Sequence, residues 1–228
     1  MIIQSQAIVL KSFSYSETSI IARCFTREMG KISVIIRGAK RKNSPNAAYF
    51  QPANYLDLVF YHKQTREIQT ISKASFVRTW PSLRNDLKKM TYTLSVIELT
   101  DKTIIDHDPH AELFDELVNA INCFDKENKR FNLIFWYFEL KLLSLLGFKP
   151  NFEKRDYPDM AISNPFSGPN SEKILKGLQN NTPGSLKNIS VTKKDRKVIS
   201  EYLSTYLQYH FDGIMRLKSF EVLKQVMA

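Results

Sequence analysis

The sequence predicts an α+β protein with a small five-stranded β-barrel at its start and a mainly α-helical domain after it. Two changes along the chain support this prediction. Apolar residues recur with a period of two in the first 80 residues and with a helical period after Trp80. Residues 1–80 carry a net charge of +8, whereas residues 81–150 carry −2. We therefore expect one domain over residues 1–80 and a helical domain over residues 81–228, with an irregular insert at about 151–190.

The first domain is predicted to contain five short strands. Apolar and polar residues alternate over residues 32–36 and 55–60, and apolar runs occupy residues 7–11, 20–25 and 68–77. Met29-Gly30 is expected to form a hairpin turn. Five antiparallel strands in a small domain favour the OB-fold, a barrel whose open face binds oligonucleotides. An SH3-like barrel or a small sandwich also fits this pattern.

The first two helices are predicted from spacing and from a capping signal. One apolar stripe follows helical spacing and consists of Leu83, Leu87, Met90, Leu94 and Ile97. Asp108-Pro109 is expected to begin the next helix, with Asp as N-cap and Pro at the first helical position.

Two later helices carry clearer signals. Residues 131–146 are apolar on nearly every side, which predicts a central core helix that ends at Gly147. The last helix is expected to begin near Thr192, with Asp195 in an imperfect capping box, and to end or kink at Gly213. A short apolar tail follows over residues 214–226.

Composition argues against several functional classes. With 7 glycines in 228 residues, and without a GxGxxG or GxxxxGK[ST] motif, the chain is not expected to hold a Rossmann or P-loop phosphate site. Two isolated cysteines, Cys24 and Cys123, predict small buried side chains rather than disulfides. The sequence shows no signal peptide and no run of 18 apolar residues, so we expect a cytoplasmic protein. The spacing in Asp106-His107-Asp108-Pro109-His110 does not match a common metal site, and no nucleophile–base set predicts an enzyme.

A basic loop is the main candidate for function. The chain has a net charge of +10, and Arg37-Gly38-Ala39-Lys40-Arg41-Lys42 leaves a predicted strand with four cations in six residues. Such charges must face solvent, where they attract a polyanion. The predicted nucleic-acid-binding residues are Lys31, Arg37, Lys40, Arg41, Lys42, Lys63 and Arg66.

Aromatic side chains of the first domain are candidates for stacking on bases. They are Phe13, Tyr15, Tyr49, Phe50, Tyr55 and Tyr61. Two other interpretations remain open from these residues alone. The chain would be either a non-enzymatic protein-interaction scaffold with an incidental positive charge or an RNA-binding OB protein.

Several segments resemble the RecO family of bacterial recombination mediators. The similar segments near the start are Ser16-Glu17-Thr18, residues 25–31, residues 37–42 and Gln51-Pro52. Further similar segments are residues 137–143, Leu146-Gly147-Phe148 and Leu217-Lys218-Ser219. Each segment is short, but their order and spacing span almost the whole chain.

The resemblance implies an N-terminal OB domain and a C-terminal helical domain. It also implies a DNA repair protein without a cofactor that binds single- and double-stranded DNA and anneals complementary strands. Members of the family help to load RecA onto DNA coated by single-strand-binding protein, and RecR is their usual partner. In some relatives the acidic tail of single-strand-binding protein docks on the helical domain.

The sequence departs from the family in two places. Many members carry a four-cysteine zinc module after the central helix, but residues 151–168 contain no cysteine, so we expect no zinc there. Some relatives have arginines where this chain has Trp136 and Tyr137, so a docking site for the acidic tail is not carried over. Lys126, Lys129 and Arg130 are nearby cations that could supply the missing charge.

Overall fold

The computed structural model describes residues 1–152, 164–180, 183–186 and 188–214, and Val222. Part of the predicted insert and almost all of the predicted tail, including Leu217-Lys218-Ser219, lie outside the described residues.

The first part of the chain is a closed five-stranded barrel, which confirms the OB-fold prediction. The strand order around the barrel is β1-β2-β3-β5-β4, and β4 pairs with β1 to complete the circle. The strands are β1 (Ile2–Ser14), β2 (Ile20–Thr26), β3 (Gly30–Ile36), β4 (Tyr55–Tyr61) and β5 (Ile68–Arg78). Only the β3–β5 pairing is parallel, and it joins three residues of each strand, Ser33–Ile35 and Ile68–Thr70. This short seam closes the barrel.

Alternation along the strands fills the barrel with apolar side chains. Val34, Ile36, Leu58 and Phe60 are among the side chains packed inside. Cys24 is also inside and fully buried, and burial raises the pKa of its thiol to about 12. Cys24 is therefore the small buried residue that its sequence context predicts, whereas Cys123 is half-buried.

The predicted turn before β3 is present, and it depends on Gly30. Thr26 Oγ1 donates to the Gly30 carbonyl over 2.8 Å, and Gly30 has φ +66°. A Cβ at Gly30 would lie 2.3 Å from the backbone oxygen of Asp108. Glycine is therefore required both by the turn and by the close approach of the helical part of the chain.

The described residues contain six α-helices. A four-residue turn, α1, lies in the loop between β3 and β4, and the other five follow the barrel. The helices are α1 (Asn46–Tyr49), α2 (Leu87–Thr103), α3 (Ala111–Lys126), α4 (Phe131–Leu145), α5 (Ser171–Asn180) and α6 (Lys193–His210). Short 3-10 turns occupy Leu83–Asn85, Pro183–Leu186 and Asp212–Ile214. None of the described helices is long and apolar enough to cross a bilayer.

The predicted stripe of α2 is wrong at two positions. Leu87, the first residue of α2, is 73% exposed and Leu94 is 36% exposed, while Leu83 belongs to a separate 3-10 turn. The buried face of α2 contains several hydroxyl side chains instead. Thr91, Ser95, Thr100 and Thr103 each donate to the carbonyl four residues earlier, which satisfies the hydroxyl inside the protein.

The predicted start of α3 is also displaced. α3 begins at Ala111 with His110 at the N-cap, so Asp108 is not its cap. The backbone of Asp108 instead packs against Gly30 of the barrel. A tertiary contact therefore overrides the local Asp-Pro signal.

The helices with strong sequence signals are confirmed. Residues on all sides of α4 are buried, and Gly147 follows it with φ +88°. At the start of α6 the Thr192 and Asp195 side chains form a complete capping box. Helix α6 ends at His210, before the predicted Gly213, and the predicted irregular insert contains the regular helix α5.

One apolar core joins the barrel to the helices. Ile8, Phe25 and Tyr55 on the outside of the barrel belong to the same cluster as the helical core, and the Phe25 and Phe114 rings are 5.6 Å apart. The Trp80 indole donates to the Ala53 carbonyl over 3.0 Å. The division at residue 80 therefore stays a prediction, because the two parts share a core.

Glu139 predicts an unusual pH dependence of stability. Its side chain is buried in α4, its Oε2 has no hydrogen-bond partner among the residues that the structure describes, and burial raises its pKa well above the ordinary 4.5. The folded state then holds a proton that the unfolded state loses, so the contribution of Glu139 to stability is fully present below pH 4.5 and is lost as pH rises through the folded-state pKa.

We expect Glu139→Gln to remove this decline, which amounts to about 1.4 kcal/mol per pH unit for one proton. Urea unfolding of both proteins at pH 5 and pH 8 measures it. An equal decline in the variant would contradict the assignment to Glu139.

Candidate nucleic-acid interface

The loop after β3, residues 37–45, presents four exposed cations on a fixed backbone. Ala39 is buried against the barrel interior and anchors the loop. Lys40 N donates to the Thr18 carbonyl over 2.9 Å, and Lys40 Nζ donates to the Ser16 carbonyl over 3.0 Å. Gly38 takes φ +70°, which turns the chain toward solvent. We call this segment the first basic loop; its exposed cations are Arg37, Lys40, Arg41 and Lys42.

The turn between β4 and β5, residues 62–67, is a second basic loop with exposed Lys63 and Arg66. Gln69 fixes this turn from inside the barrel, where it is 1% exposed. Its Oε1 accepts from Lys63 N over 2.9 Å, and its Nε2 donates to the Lys63 and Arg66 carbonyls over 3.2 and 2.6 Å. A neutral amide therefore holds the backbone of both cationic residues without using their charges.

The cations of both loops remain electrostatically available. Within the part of the chain that the structure describes, none of the six has a carboxylate oxygen within 4.0 Å. Their positive charge is therefore not cancelled by a close ion pair.

A row of paired residues crosses the outer surface of the barrel from β1 to β4. Each member lies opposite the next in the neighbouring strand, so all members share the outer face of the sheet; the row is Phe13, Ile21, Ile35, Thr70 and Tyr61. Ile21 in this row is only 4% exposed. Its two ends are exposed aromatics, with Phe13 50% and Tyr61 47% exposed. Four interstrand steps of about 4.8 Å give the row a length of about 19 Å along the curved surface. We call it the outer row.

The loops and the outer row form one surface. The first basic loop begins two residues after Ile35, and the second follows Tyr61 directly. Cations and exposed aromatics therefore lie side by side at this surface, an arrangement that suits the phosphates and bases of a single strand.

The structure divides the predicted stacking residues into three groups. Phe13, Tyr15 and Tyr61 are exposed. Phe50 is fully buried in the barrel and Tyr55 is buried against the helical part, so neither can stack on a base. Tyr49 packs on Phe76 with 4.8 Å between ring centroids. The prediction is therefore corrected for Phe50 and Tyr55, whose apolar environments exclude a ligand.

Lys31 does not join the basic surface that the sequence predicts. It is 4% exposed, and its Nζ donates to the backbone carbonyls of Asp101 and Ile104, each over 2.7 Å. Asp101 and Asp106 carboxylates lie 3.7 and 3.3 Å from the same nitrogen. Burial lowers the pKa of Lys31, and the two carboxylates partly offset this effect. Lys31 therefore binds the C-terminal end of α2, where a cation is favourable.

Three further barrel cations face acidic residues of the helical part. Lys11 lies 2.8 Å from Asp101, and Arg23 contacts both Asp101 and Asp106. Burial alone would raise the pKa of Asp106, but Arg23 and Lys31 hold it below its ordinary value.

Arg27 makes two hydrogen bonds to Asp115, of 3.0 and 2.9 Å. Carboxylates of residues 81–150 thus neutralise cations on one side of the barrel, and the charge of the two basic loops stays exposed. Sequence reasoning missed this pairing, although the opposite net charges of the two segments were a signal for it.

Among the described residues, no three His, Cys, Asp or Glu side chains are grouped to hold a metal ion. In the segment between α2 and α3, His110 contacts Asp108 over 3.1 Å, while Asp106 pairs with Arg23 of the barrel. The residues near 151–168 that would correspond to a zinc module lie partly outside the described residues.

Comparisons with known proteins point to one family. Models described as Recombination protein O N terminal and Recombination protein O C terminal match residues 1–80 and 84–155. The DNA repair protein RecO of Salinibacter ruber is 36% identical over 153 residues, or 67% of this chain and 59% of that protein. That of Chlorobium limicola is 30% identical over 163 residues, which is 72% of this chain and 62% of that protein.

These alignments span about three fifths of the length of those two relatives. The DNA repair protein RecO of Chloroherpeton thalassium aligns over 99% of both chains at 26% identity.

The position of Lys31 predicts a structural role that a surface cation would not have. Lys31→Met leaves two buried carbonyls without a donor and two carboxylates without a cation, so we expect a loss of about 1–3 kcal/mol in the free energy of unfolding. Lys42→Met, at an exposed position, is the matched control and should leave stability unchanged. Urea unfolding measures both, and equal stability of the two variants would refute the junction role.

Proposed function

Because this chain belongs to the RecO family, we propose that it is a DNA repair and recombination mediator. In this proposal it binds single- and double-stranded DNA, anneals complementary strands and helps to load RecA on DNA coated by single-strand-binding protein. RecR and single-strand-binding protein are its proposed partners, and it acts on RecA indirectly, in the cytoplasm. The observation that supports DNA binding most directly is the pair of uncompensated basic loops beside the outer row.

Phosphate binding is the first part of the proposed mechanism. The six exposed cations of the two loops are Arg37, Lys40, Arg41, Lys42, Lys63 and Arg66. Each phosphate that a cation neutralises releases counterions, so affinity falls as salt rises. Lys40 contributes while also holding the loop, because one bond from its ammonium to the Ser16 carbonyl leaves two N–H groups free.

Base stacking is the second part. Phe13 and Tyr61 mark the ends of the outer row, with apolar Ile21 and Ile35 between them. A flexible single strand can place a base on each ring while its phosphates contact the loops. A duplex keeps its bases stacked internally, so it contacts the loops alone. The surface therefore accepts both forms of DNA but adds stacking only for single strands.

Annealing follows from these two parts without a chemical step. Neutralised phosphates repel a second strand less, and binding raises the local concentration of the strand. The outer row exposes aromatic rings only at its two ends, so most bases of a longer strand remain free to pair. The mechanism needs no nucleotide hydrolysis, and we propose no catalytic role for the chain.

Reversing two charges of the first basic loop tests phosphate binding. For wild type we expect log affinity for a single strand to fall with log salt at a slope of about −4, from six contacts at about 0.7 each. Arg37→Glu with Arg41→Glu should weaken binding about equally for all sequences and flatten this slope by at least about 1.4. Fluorescence anisotropy at several salt concentrations measures both.

The matched control for that experiment is Lys149→Glu with Lys173→Glu, which makes the same charge change at exposed positions outside both loops. Addition of the complementary strand at low salt then reports annealing. Unchanged affinity in the loop variant would refute the role of the loop. Tighter binding of RNA than of DNA would favour an RNA-binding function instead.

Removing the two exposed rings tests base stacking. Phe13→Ala and Tyr61→Ala should each weaken single-strand binding by about 1–3 kcal/mol, while duplex binding should change little. Tyr209→Ala is the control, because Tyr209 is 58% exposed on α6, in the helical part. Equal losses for single strand and duplex would show that the rings act through folding or loop position and not through stacking.

A further inference from the structure

A second basic site lies in the helical part, at the corner where α2, α4 and α6 all begin. A concave pocket of about 260 Å³ opens there between the three helix ends. Its charged lining consists of Asp86, Lys88, Lys129, Arg130 and Arg196. We call it the three-helix pocket.

The single acidic side chain of this pocket does not neutralise it. Asp86 caps α2, and its Oδ1 accepts from the backbone nitrogens of Lys88 and Lys89 over 2.8 and 3.0 Å. Arg130 donates to the Leu186 carbonyl over 3.1 Å and Arg196 donates to the Val191 carbonyl over 3.3 Å, so both guanidinium groups bond neutral oxygens. Lys88 and Lys129 are exposed and pair with no described carboxylate.

The placement of these cations opposes the helix dipoles. The N-terminal end of a helix carries partial positive charge and favours anions. Three such ends meet here. Asp86 caps α2 and Asp195 lies in the first turn of α6, whereas α4 has neither an acidic residue in its first turn nor a side-chain cap. The four cations of the pocket outnumber its one acidic side chain, and the uncapped start of α4 adds partial positive charge, so the recess is electropositive. A bound anion would relieve this repulsion.

The surroundings favour a phosphate chain over a peptide as the anion. The basic surface continues along the start of α6 with exposed Lys193 and Lys194, so it suits a ligand that carries several negative charges along its length. The rings that line the pocket, Tyr92 and Phe131, are only 2% and 4% exposed, so the pocket offers no open apolar recess for a peptide side chain.

We propose that the three-helix pocket binds backbone phosphates of a DNA molecule that the barrel loops also hold. This inference rests on the proposed DNA-binding function and extends the DNA path to the helical part. The 17 residues of α2 separate the pocket from the Lys31 junction, which places the two about 25 Å apart. At about 3.4 Å per nucleotide of a stacked strand, five nucleotides cover about 17 Å, which is less than the length of α2, whereas thirty cover about 100 Å.

Strand length separates the two sites experimentally. The variant is Lys129→Gln with Arg196→Gln, and the probes are single strands of 5 and 30 nucleotides, of which only the longer spans both sites. We expect binding of the 30-nucleotide strand to weaken about tenfold at low salt and its salt slope to flatten by about 1.4. Binding of the 5-nucleotide strand should not change. Fluorescence anisotropy at several salt concentrations measures both.

Lys149→Gln with Lys173→Gln removes the same charge outside the pocket and should leave both probes unaffected. Equal weakening of both strands by the pocket variant, or of neither, would overturn the pocket proposal while the barrel proposal stands. Loss of binding to an acidic peptide, with DNA binding intact, would assign the pocket to a protein ligand and overturn it too. If wild type binds neither strand, the barrel proposal fails and the pocket proposal fails with it.

Discussion

The Lys31 ammonium holds the barrel to the end of α2, and the arrangement of the rest of the molecule depends on this junction. Its burial is tolerated because two backbone carbonyls and two carboxylates surround it. Beside it, Gly30 allows the backbone of Asp108 to approach closer than any side chain would permit. The junction draws Lys11 and Arg23 to the helical part as well. It thereby decides which face of the barrel is covered and which face stays open to a ligand.

Neighbouring cations of the barrel consequently have different environments. Lys31 and Arg37 belong to one strand and its adjoining loop, yet the first is buried among oxygens and the second faces solvent. Sequence patterns could not separate them, because burial of a lysine depends on an acidic partner 70 residues away. The first basic loop was easier to predict, since four cations in a short polar segment cannot all be buried.

The fold was predictable where one local signal acted alone. Alternation in Val34 and Ile36, the apolar surface of α4 and the Thr192–Asp195 box each led to the observed element. Prediction failed where a distant contact competed with the local signal. Asp108-Pro109 has the residue types of a helix start, but the backbone of Asp108 packs on Gly30 and the helix begins later, at Ala111. Phe50 and Tyr55 are aromatic residues of the kind that stack on bases, but Phe50 is buried in the barrel core and Tyr55 in the core shared with the helices. The outer row could not be found from sequence, because it joins one residue from each of the five strands through their register.

The barrel has one weak line of closure, the three residue pairs that join β3 to β5. A ladder this short opens locally at less cost than the seven-residue pairings on either side of β1. Ile35 and Thr70 of the outer row lie on the two sides of this line. A ligand bound along the outer row would contact both β3 and β5. Part of its binding free energy would then stabilise the β3–β5 pairing and reduce local opening of the barrel. Occupancy of this surface and rigidity of the barrel are thus thermodynamically linked.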